Sequence, residues 1–397
     1  MAGAEVNLQL TAAELKYRGH TAGLIHGPPT GKGEPAWRDL FPERFPVADG
    51  NNSHATRAAL DAFQPDAVYI HKMSDAAVLE TLARSGVPVV RMVHDHDLYC
   101  MRSYKYFPLT RTVCTRAAGL GCIFPCGAVL ARNRHGKFPV KWVSYLARKK
   151  EIALNRQFAR MIVATDYMRQ ELLRNGFEPD RIEIHAPVPR GEESASDASF
   201  SGRNLIIYSG QVIRGKGVDV LLESLARVRA PFECLIFGDG HHRGYCEELA
   251  RKLGLTGRVQ FKGYVPPAEL EAFYQQASLA VVSSVWPEPF GAVGLEAMRH
   301  GLPVVAFAAG GISEWLLDGE NGFLVPWMDR TRFAARIDEL LGSKALARRL
   351  GARGRQLLRD KFNFDQYISG LEEMFSRVIS QRSEREVARM EHGQTRP

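Results

Sequence analysis

The sequence predicts an α/β protein in which parallel sheets are covered by helices on both faces. Short apolar strands alternate with amphipathic helices along the second half of the chain, from Asn204 to Phe307. The first half shows the same alternation more loosely, between Thr21 and Pro187. This alternation favours parallel pairing, because each helix then carries the chain back across the sheet.

A chain of 397 residues is long enough for two domains with separate cores. The stretch 189–203 is polar, contains Gly, Ser, Asp and Pro, and lacks periodicity, which is typical of a linker. We therefore expect a first domain over 1–188 and a second over 204–361. One more amphipathic helix is expected over 362–379, followed by a charged, disordered tail over 380–397.

Each half is expected to contain five strands, which are apolar runs bounded by turn residues. They are Thr21–Gly27, Ala67–His71, Pro88–Asp95, Arg160–Thr165, Ile182–Pro187, Asn204–Ser209, Phe232–Phe237, Val259–Gly263, Leu279–Ser284 and Pro303–Phe307. The helical patterns between them include Ser74–Ser85, Tyr167–Asn175, a helix from Gly217, Tyr245–Leu253, Pro267–Gln276 and Ala292–His300. Ligands of such sheets bind beyond the carboxyl ends of the strands, so residues that follow strands are the candidate site.

The composition, 45% hydrophobic and 24% charged, is ordinary for a globular protein. No apolar run is long enough to span a bilayer. The first 20 residues have an amphipathic helical pattern and lack the basic and continuous apolar regions of a signal peptide. Six cysteines do not suggest a disulfide scaffold, so a reducing, cytoplasmic location is expected.

The start of the chain lacks a strand. Met1–Glu5 reads as a Gly-containing loop that opens a helix, whereas the first strand of a doubly wound sheet usually lies at its centre. A missing central strand would leave backbone groups unpaired. We hypothesise that the natural product begins upstream of Met1; the alternative is a truncated first sheet.

Two turns of the second half have the composition of phosphate-binding loops. In Ser209–Gly217, Arg214 and Lys216 follow a strand and could neutralise a diphosphate, while glycines such as Gly210 let the backbone approach it. Gly238 and Gly240 follow the next strand and resemble part of a nucleotide loop. The alternative for these cations is an ordinary surface turn.

Glu288 and Glu296 flank the most informative turn of the chain. Glu288 precedes Pro289, Phe290 and Gly291, and Glu296 lies in the helix that follows. The first turn of a helix carries N–H groups without intrahelical partners, which favours an anion such as phosphate. Both carboxylates can then face one ligand, although an ordinary βα unit with two solvated acids is the alternative.

Two clusters of the first half suit either a ligand or a metal. The sequence His94-Asp-His-Asp97 ends a strand, so we expect His94 and His96 on one face and the two Asp residues on the other. Contact of His94 with a bound ligand is the favoured interpretation. Four cysteines follow, at Cys100, Cys114, Cys122 and Cys126. They lack paired C-x2-C knuckles, so free thiols are expected and a structural zinc is the alternative.

Positive charge is concentrated between Cys100 and Arg160. This segment holds thirteen Lys and Arg residues and a single acid, Glu151, whereas the net charge of the whole chain is +8. Its aromatic residues are Tyr104, Tyr106, Phe107, Phe124, Phe138, Trp142 and Tyr145. The combination favours an anionic membrane surface, with nucleic acid or a solvated basic face as alternatives. A basic helix is expected over 139–160.

The second half resembles the retaining glycosyltransferases of family 4 throughout. The resemblance covers about 120 residues, within which the matching segments are Ser209–Gly217, Ile236–Gly240, Phe261–Val265, Ser283–Ala297, Gly301–Phe307, Gly310–Glu314 and Gly322–Pro326. The first half is similar more loosely, through Gly3–Glu5, Arg18–His20 and the strand Pro88–Val93 with His94 and Asp95. The resemblance implies the GT-B fold, with two Rossmann-like domains facing across a cleft and a C-terminal helix that crosses back to the first domain.

The resemblance also implies retaining transfer of a sugar from a nucleotide diphosphate sugar, without a metal. The residues of this chain that correspond to the family's catalytic residues are Glu288, His94, Arg214 and Lys216. The resemblance implies that the two cations, Arg214 and Lys216, hold the diphosphate. The substrate-binding positions that it implies are Gly210, Gly238, Gly240, Tyr264, Val265, Phe290, Gly291, Ala292 and Glu296. Among these, Glu296 binds the ribose, Tyr264 and Val265 lie along the base, and the turn at Gly291 holds sugar hydroxyls together with Glu288.

One position departs from the family pattern. Members usually carry Arg directly after the glycine that corresponds to Gly210, and this chain has Gln211. Arg214 is the expected substitute for the missing charge.

The acceptor is expected to be a saccharide or a polyprenyl-linked sugar in surface polysaccharide or glycolipid synthesis. The expected location is the cytoplasm, peripherally on the inner face of the plasma membrane, and no nucleic acid partner is expected. A nucleotide-sugar epimerase and a non-catalytic sugar-nucleotide-binding protein are the competing functions.

Overall fold

The computed structural model describes residues 3–28, 34–47, 50–107, 109–132, 138, 140–188, 198, 200 and 203–391. The chain divides into two compact units. The first comprises Met1–Ser103, Thr115–Arg190 and Phe364–Pro397, and the second comprises Tyr104–Cys114 and Gly191–Asn363.

The first unit contains eight described strands and seven described helices. The strands are β1 (Leu24–His26), β2 (Arg44–Pro46), β3 (Val68–Ile70), β4 (Val89–Val93), β5 (Leu130–Arg132), β6 (Val140–Trp142), β7 (Arg160–Val163) and β8 (Ile182–Ile184). The helices are α1 (Gly3–Tyr17), α2 (Glu34–Leu40), α3 (Asn52–Phe63), α4 (Ala76–Arg84), α5 (Tyr145–Asn155), α6 (Asp166–Arg174) and, at the end of the chain, α13 (Phe364–Glu391).

The main sheet of the first unit has the order β3-β4-β7-β8, and all of its strands are parallel. Its strand β4 is buried along its whole length, and Val89 and Val93 pack in one core with residues of α4, α5 and α6. A second, parallel pair consists of β1 and β2, and β5 and β6 form an antiparallel hairpin. The β1–β2 pair and the main sheet are separate, because no described strand lies between β1 and β3 to pair with both. The hypothesis that a further strand precedes Met1 stays a prediction.

The second unit contains six described strands and six described helices. The strands are β9 (Leu205–Ser209), β10 (Glu233–Phe237), β11 (Val259–Gly263), β12 (Leu279–Val282), β13 (Val304–Phe307) and β14 (Gly322–Val325). The helices are α7 (Val218–Leu225), α8 (Arg243–Lys252), α9 (Pro267–Gln276), α10 (Val293–Arg299), α11 (Arg330–Gly342) and α12 (Lys344–Lys361).

The sheet of the second unit is entirely parallel, with the order β11-β10-β9-β12-β13-β14. In chain order this is 3-2-1-4-5-6, the doubly wound arrangement, and the direction of winding reverses between β9 and β12. The core strands β12 and β13 are buried at every residue. The carboxyl ends of β9 and β12 therefore open the crevice in which such sheets bind ligands.

All ten strands predicted from the sequence are present, most of them one to four residues shorter than predicted. Strands β2, β5, β6 and β14 were not predicted, because runs of three or four residues are too short to show a period. The predicted linker 189–203 lies almost entirely outside the described residues.

Two predictions about helices are wrong. The basic stretch 139–160 is not one helix, since β6 occupies its start and α5 covers only Tyr145–Asn155, capped by the Ser144 hydroxyl. The tail predicted to be disordered from Ser380 is helical as far as Glu391, because α13 continues beyond Ile379. Residues 392–397 lie outside the described part of the chain.

A segment from the middle of the predicted first domain belongs to the second unit. We call this segment, Tyr104–Cys114, the arm. The buried Arg111 pairs with the buried Asp219 at the start of α7, with Nη2–Oδ2 at 2.5 Å and Nη1–Oδ1 at 3.3 Å. An ion pair that is shielded from water and bidentate explains why the arm docks there.

Candidate active site

The turn between β9 and α7 is joined to the loop after β12. Gly217 has a φ of 64°, and a Cβ there would stand 2.1 Å from the carbonyl oxygen of Ser283. The Ser283 hydroxyl donates to the Lys216 carbonyl at 2.9 Å, and the amides of Val285 and Trp286 donate to the Gly215 carbonyl. These contacts exclude any side chain at Gly217 and fix the two loops against each other.

This junction brings Lys216 to Glu288. Lys216 Nζ lies 2.6 Å from Glu288 Oε1, and the ammonium also lies 5.1 Å from the centre of the Trp286 ring. The Ser284 hydroxyl donates to the same carboxylate oxygen. A cation and a carboxylate are thus held together at the carboxyl ends of β9 and β12, where the winding reverses.

Glu288 is buried but remains ionised at neutral pH. Burial alone would raise the pKa of its carboxyl, but the charge of Lys216 and the hydrogen bonds from Lys216 and Ser284 outweigh burial and hold the pKa below its ordinary value. The backbone of Glu288 is also fixed, since its N–H donates to the Ala309 carbonyl and its own carbonyl accepts from the Gly311 amide.

The predicted glycines lie where the loops after β9 and β10 meet. Gly238 has a φ of 121°, and a Cβ there would stand 1.9 Å from the Gly210 carbonyl oxygen. The Gly210 amide donates to the Phe237 carbonyl at 3.0 Å. A Cβ at Gly240 would stand 2.4 Å from the Val212 carbonyl oxygen. The structure therefore brings Gly210, Gly238 and Gly240 together and shows why these loops need glycine.

The turn before α10 is held from beneath by Trp315. The indole Nε1 donates to the carbonyl of the buried Phe290 at 2.7 Å. Gly294, in α10, packs so closely on this ring that a Cβ would stand 2.0 Å from it. Gly291 and Ala292 are thereby fixed just before the first turn of α10, where amides lack intrahelical partners.

Glu296 lies in α10 and differs from Glu288 in its environment. Burial raises the pKa of its carboxyl, and the charge of Arg299 offsets only part of this effect. Its charge acts on Tyr274, whereas the charge of Glu288 acts on Tyr208 at the end of β9. The two glutamates thus lie near different charged and aromatic side chains, and their pKa values shift in opposite directions.

Tyr264 and Val265 follow β11 directly. Tyr264 is 73% exposed and Val265 is half-buried. The Gly263 carbonyl accepts from the Gly238 amide at 2.7 Å, so this loop adjoins the glycine loop after β10. An exposed aromatic ring beside that loop is available for stacking.

Arg214 contacts the arm. Its guanidinium Nη2 donates to the Leu109 carbonyl at 3.4 Å, and its charge acts on Tyr106 and His242. Tyr106 also packs on Gly215, and Tyr104 lies edge-on to Trp286 at 6.2 Å between ring centres. The arm therefore adjoins the turn that carries both predicted cations, a contact that the sequence did not predict.

His94 lies in the first unit, directly after β4, and is paired with His71. The distance from His71 Nδ1 to His94 Nε2 is 2.9 Å. Burial, together with the charges of Lys72 and Arg91, lowers the pKa of His94 to about 4. Burial and the neighbouring His94 lower the pKa of His71 well below its ordinary value. Both rings are neutral at pH 7, and one N–H is shared between them.

The face assignment predicted for the His94–Asp97 run is wrong for the histidines, because β4 ends at Val93 and its alternation ends there. The buried His96 pairs with the Tyr99 hydroxyl at 2.8 Å instead of joining His94. Asp95 and Asp97 do converge, since Lys72 Nζ contacts both carboxylates.

The four cysteines of the first half do not form a cluster. Cys100 packs on the main core of the first unit, whereas Cys122 and Cys126 pack on a small core formed by Met101, Ala128 and Val129. Among the residues that the structure describes, no group of three or more His, Cys, Asp or Glu side chains is placed to hold a metal ion.

The buried His300 should make the free energy of unfolding depend on pH. The ring is fully buried and stacks on Tyr274, with centres 5.0 Å apart. Burial and the charges of Arg299 and Arg355 lower the pKa of His300 to about 4. Below pH 6.5 this histidine becomes protonated in the unfolded chain but stays neutral in the folded chain. The free energy of unfolding is therefore highest above pH 6.5 and falls as the pH approaches 4.

We expect the free energy of unfolding to fall by about 2 kcal/mol because of this histidine when the pH is lowered from 7.5 to 5. Urea unfolding of His300→Phe, which keeps the stacked ring, should show a smaller loss of stability over that range than the parent chain. The exposed His54 provides the control, as His54→Gln should not alter the loss. An unchanged pH dependence in His300→Phe would contradict this assignment.

Two known protein families match this chain, one in each half. The family described as Glycosyltransferase Family 4 matches residues 1–187, and the family described as Glycosyl transferases group 1 matches residues 189–357. Together the two glycosyltransferase families match almost the whole chain and support its assignment to glycosyltransferase family 4. The resemblance drawn from the motifs is therefore confirmed.

Curated glycosyltransferases match parts of the chain. The lipopolysaccharide core biosynthesis glycosyltransferase LpsE of Rhizobium meliloti is 33% identical over 40% of this chain and 46% of its own. The D-inositol 3-phosphate glycosyltransferase of Acidothermus cellulolyticus is 30% identical over 52% of this chain and 50% of its own. The chain spans about half the length of these curated relatives.

Solved structures match almost the whole chain. HepE of Anabaena in complex with UDP superposes with a TM-score of 0.71 at 18% identity, over 94% of this chain and 96% of that one. Sucrose-phosphate synthase of Thermosynechococcus elongatus superposes with a TM-score of 0.70 at 17% identity, over 96% and 94%. The predicted α/β fold class with two Rossmann-like units, GT-B, is confirmed.

Proposed function

We propose that this family 4 member is a retaining glycosyltransferase that moves a sugar from a nucleotide diphosphate sugar to a saccharide or lipid-linked acceptor. The observation that carries the proposal is the Lys216–Glu288 pair at the reversal of the second unit's sheet. A buried carboxylate and a cation at this position suit a ligand that combines sugar hydroxyls with a diphosphate.

The leaving diphosphate is assigned to Lys216 and Arg214, with Gly210, Gly238 and Gly240 admitting its oxygens to the backbone. As the bond between the anomeric carbon and the diphosphate breaks, negative charge grows on the phosphate oxygens. A fixed ammonium stabilises that charge without reorganising. The acceptor hydroxyl forms the new bond to the anomeric carbon and gives up its proton to the leaving group.

The donor sugar is assigned to Glu288, the backbone from Phe290 to Ala292, and His94. Glu288 is ionised, so its oxygens accept hydrogen bonds from sugar hydroxyls and favour positive charge at the reacting carbon. His94 is neutral and can share a hydrogen bond with a sugar hydroxyl. Glu296 is assigned to the ribose hydroxyls, and Tyr264 and Val265 to the base.

The donor to test first is UDP-glucose. HepE of Anabaena has been solved with UDP and with UDP-glucose. LpsE is named for lipopolysaccharide core synthesis, which supports a saccharide acceptor and a role in surface polysaccharide synthesis. A panel of nucleotide sugars, read by thermal shift, would identify the donor, since a ligand that binds only the folded chain raises its stability.

The function is tested by supplying this donor with and without acceptor. We expect nucleoside diphosphate to be released only when acceptor is present, and the product to keep the anomeric configuration of the donor by NMR. Conversion of the donor sugar without acceptor would indicate an epimerase. Binding of the donor with no release under any acceptor would indicate a binding protein, and either result would contradict transfer.

We predict that transfer needs no metal, because Lys216, Arg214 and the first turn of α10 supply positive charge to the diphosphate. Excess EDTA should leave the initial rate unchanged, with added magnesium as the control. Metal analysis of the purified chain should find no stoichiometric zinc, because Cys100 packs on a different core from Cys122 and Cys126, and the described part of the chain brings no set of metal ligands together. Loss of activity with EDTA that magnesium restores would contradict the prediction.

We also propose that the enzyme works in the cytoplasm on the inner face of an anionic membrane, with a polyprenyl-linked acceptor. The charge of the segment from Cys100 to Arg160 supports this location. No helix within the described ranges combines the length and the apolar character that crossing a bilayer requires. Attraction to anionic vesicles should weaken as salt is raised, and no binding at low salt would argue against the location.

A further inference from the structure

The first unit exposes an unusual concentration of large apolar side chains. Of the fifteen such side chains that are exposed in the described part of the chain, eight lie between Leu120 and Leu146. Phe124 is 86% exposed, Leu120 is 74% exposed and Trp142 is 72% exposed. Isolated apolar residues on a surface are ordinary, but such a concentration marks an interaction site.

The hairpin of β5 and β6 shows how this surface is built. Leu130 pairs with Trp142, and Arg132 pairs with Val140. Paired and alternate residues share a face, so Leu130, Val140 and Trp142 all project from one side of the hairpin. We call these three exposed residues the hairpin face.

The opposite side of the hairpin is fixed to the first unit. Val129 is buried in the small core with Met101 and Ala128, and Val143 packs against this core. The Val143 amide donates to the Val129 carbonyl at 2.8 Å. One side of the hairpin is therefore packed on the first unit through Val129 and Val143, whereas Leu130, Val140 and Trp142 on the other side are exposed. A two-stranded ribbon that is already packed on one side does not need exposed apolar residues on the other.

The preceding loop is held beside the hairpin with its apolar side chains exposed. The Ala128 amide donates to the Cys122 carbonyl at 2.8 Å. Arg102 Nη2 donates to the carbonyls of Cys126 and Gly127, each at 2.9 Å. Leu120 and Phe124 thus belong to a loop that backbone hydrogen bonds tie to the start of β5.

The charge around this surface has one sign. Residues 115–150 contain eight Lys and Arg residues and no Asp or Glu. Lys141 and Lys149 are exposed, and Lys141 lies on β6 between Val140 and Trp142. Exposed Trp, Phe and Leu side chains interspersed with cations match the boundary between headgroups and acyl chains of an anionic bilayer.

We propose that the hairpin face and the loop that carries Leu120 and Phe124 insert into the interface of an anionic lipid bilayer, so that the enzyme is anchored by inserted side chains in addition to charge. A symmetric dimer through this surface would set like charges against each other, because the exposed Lys141 lies within the surface and Lys149 lies close to it in the sequence. Nucleic acid would use the cations and aromatic rings but not Leu120, Leu130, Val140 or Leu146.

This inference rests on the proposed membrane location and not on the transfer chemistry. It goes beyond attraction by charge, because an inserted face buries apolar area that salt does not screen. Each apolar side chain that leaves water adds to the attachment.

Trp142 reports insertion directly, because it is the only exposed residue among the five tryptophans, all of which the structure describes. We expect its fluorescence to shift to shorter wavelength when the full chain binds phosphatidylglycerol–phosphatidylcholine vesicles, and to be quenched when the acyl chains are brominated. In Trp142→Phe the quenching should disappear while sedimentation with vesicles persists.

The matched pair of variants is Trp142→Lys and Tyr245→Lys, since Tyr245 is an exposed aromatic residue of α8 in the second unit. Trp142→Lys adds a cation, so pure charge attraction would strengthen binding. Insertion predicts instead at least a tenfold rise in the lipid concentration needed for half-binding, with Tyr245→Lys unchanged. Release of nucleoside diphosphate with a soluble saccharide acceptor should be the same in both variants, which shows that they are folded.

Several results would overturn the proposal. These are no binding to anionic vesicles at low salt, binding without quenching of Trp142, or tighter binding of Trp142→Lys. A concentration-dependent dimer that Trp142→Lys abolishes would assign the surface to a second copy of the chain instead. Failure of sugar transfer together with quenching of Trp142 by vesicles would reject the proposed reaction and leave the membrane insertion standing.

Discussion

Replacing Lys216 by alanine should lower kcat/KM for the nucleotide sugar at least tenfold, which corresponds to about 1.4 kcal/mol of transition-state stabilisation. The variant removes the charge assigned to the leaving diphosphate, and it also leaves Glu288 buried without its cation. The loss should appear in kcat as well as in KM, because charge on the diphosphate increases as the glycosidic bond breaks.

The control is Lys344→Ala, which removes an exposed lysine from the first turn of α12 and should leave the kinetics unchanged. Glu288→Gln keeps the size of the side chain and should also lower turnover. Because Lys216 and Glu288 hold each other in place, the double variant should lose less than the product of the two single losses. Unchanged donor kinetics in Lys216→Ala would show that the diphosphate assignment is wrong.

Replacing Arg111 by alanine should lower the free energy of unfolding of the second unit by about 3–5 kcal/mol. Arg111 and Asp219 are both buried, and the substitution leaves the Asp219 carboxylate without its bidentate partner. The arm should then detach from the second unit, which limited proteolysis within Tyr104–Cys114 would detect.

The control for this prediction is the pair of Arg251 and Glu248 in α8, which is similarly short at 2.6 Å but is exposed to solvent. Arg251→Ala should leave the urea midpoint unchanged, since exposed pairs contribute little. The double variant Arg111→Ala with Asp219→Ala should recover part of the loss, because it removes the stranded charge. A midpoint for Arg111→Ala equal to that of the parent chain would contradict the role given to this pair.

The sequence predicted the strands and the loops of the site but not the contacts between them. The rule that ligands bind beyond strand ends selected Gly210, Lys216, Gly238 and Glu288. It did not predict that Lys216 would contact Glu288, 72 positions away, because that contact depends on the neighbouring positions of β9 and β12 in the sheet. Periodicity identifies elements and leaves their order in the sheet open.

The same rule would also have identified His71. It follows β3 directly, as His94 follows β4, and the two strands are neighbours in the sheet. The run from His94 to Asp97 was misjudged because strand alternation was extended past Val93, where the chain turns into a 3₁₀ segment capped by Asp95.

The arm and the hairpin were missed for a different reason. The docking of Tyr104–Cys114 depends on a long-range ion pair between Arg111 and Asp219, which leaves no periodic signal near either residue. In the hairpin, β5 and β6 are three residues each, so their alternation is too short to distinguish from a basic helix.

A crystal structure of the chain with a nucleoside diphosphate bound would test the assignment of the diphosphate to Lys216 directly. We expect the terminal phosphate within hydrogen-bond distance of Lys216 Nζ, at the carboxyl ends of β9 and β12, with its oxygens facing the turn before α10. A diphosphate bound away from Lys216, or a complex in which Lys216 keeps Glu288 as its partner and makes no contact with phosphate, would contradict it.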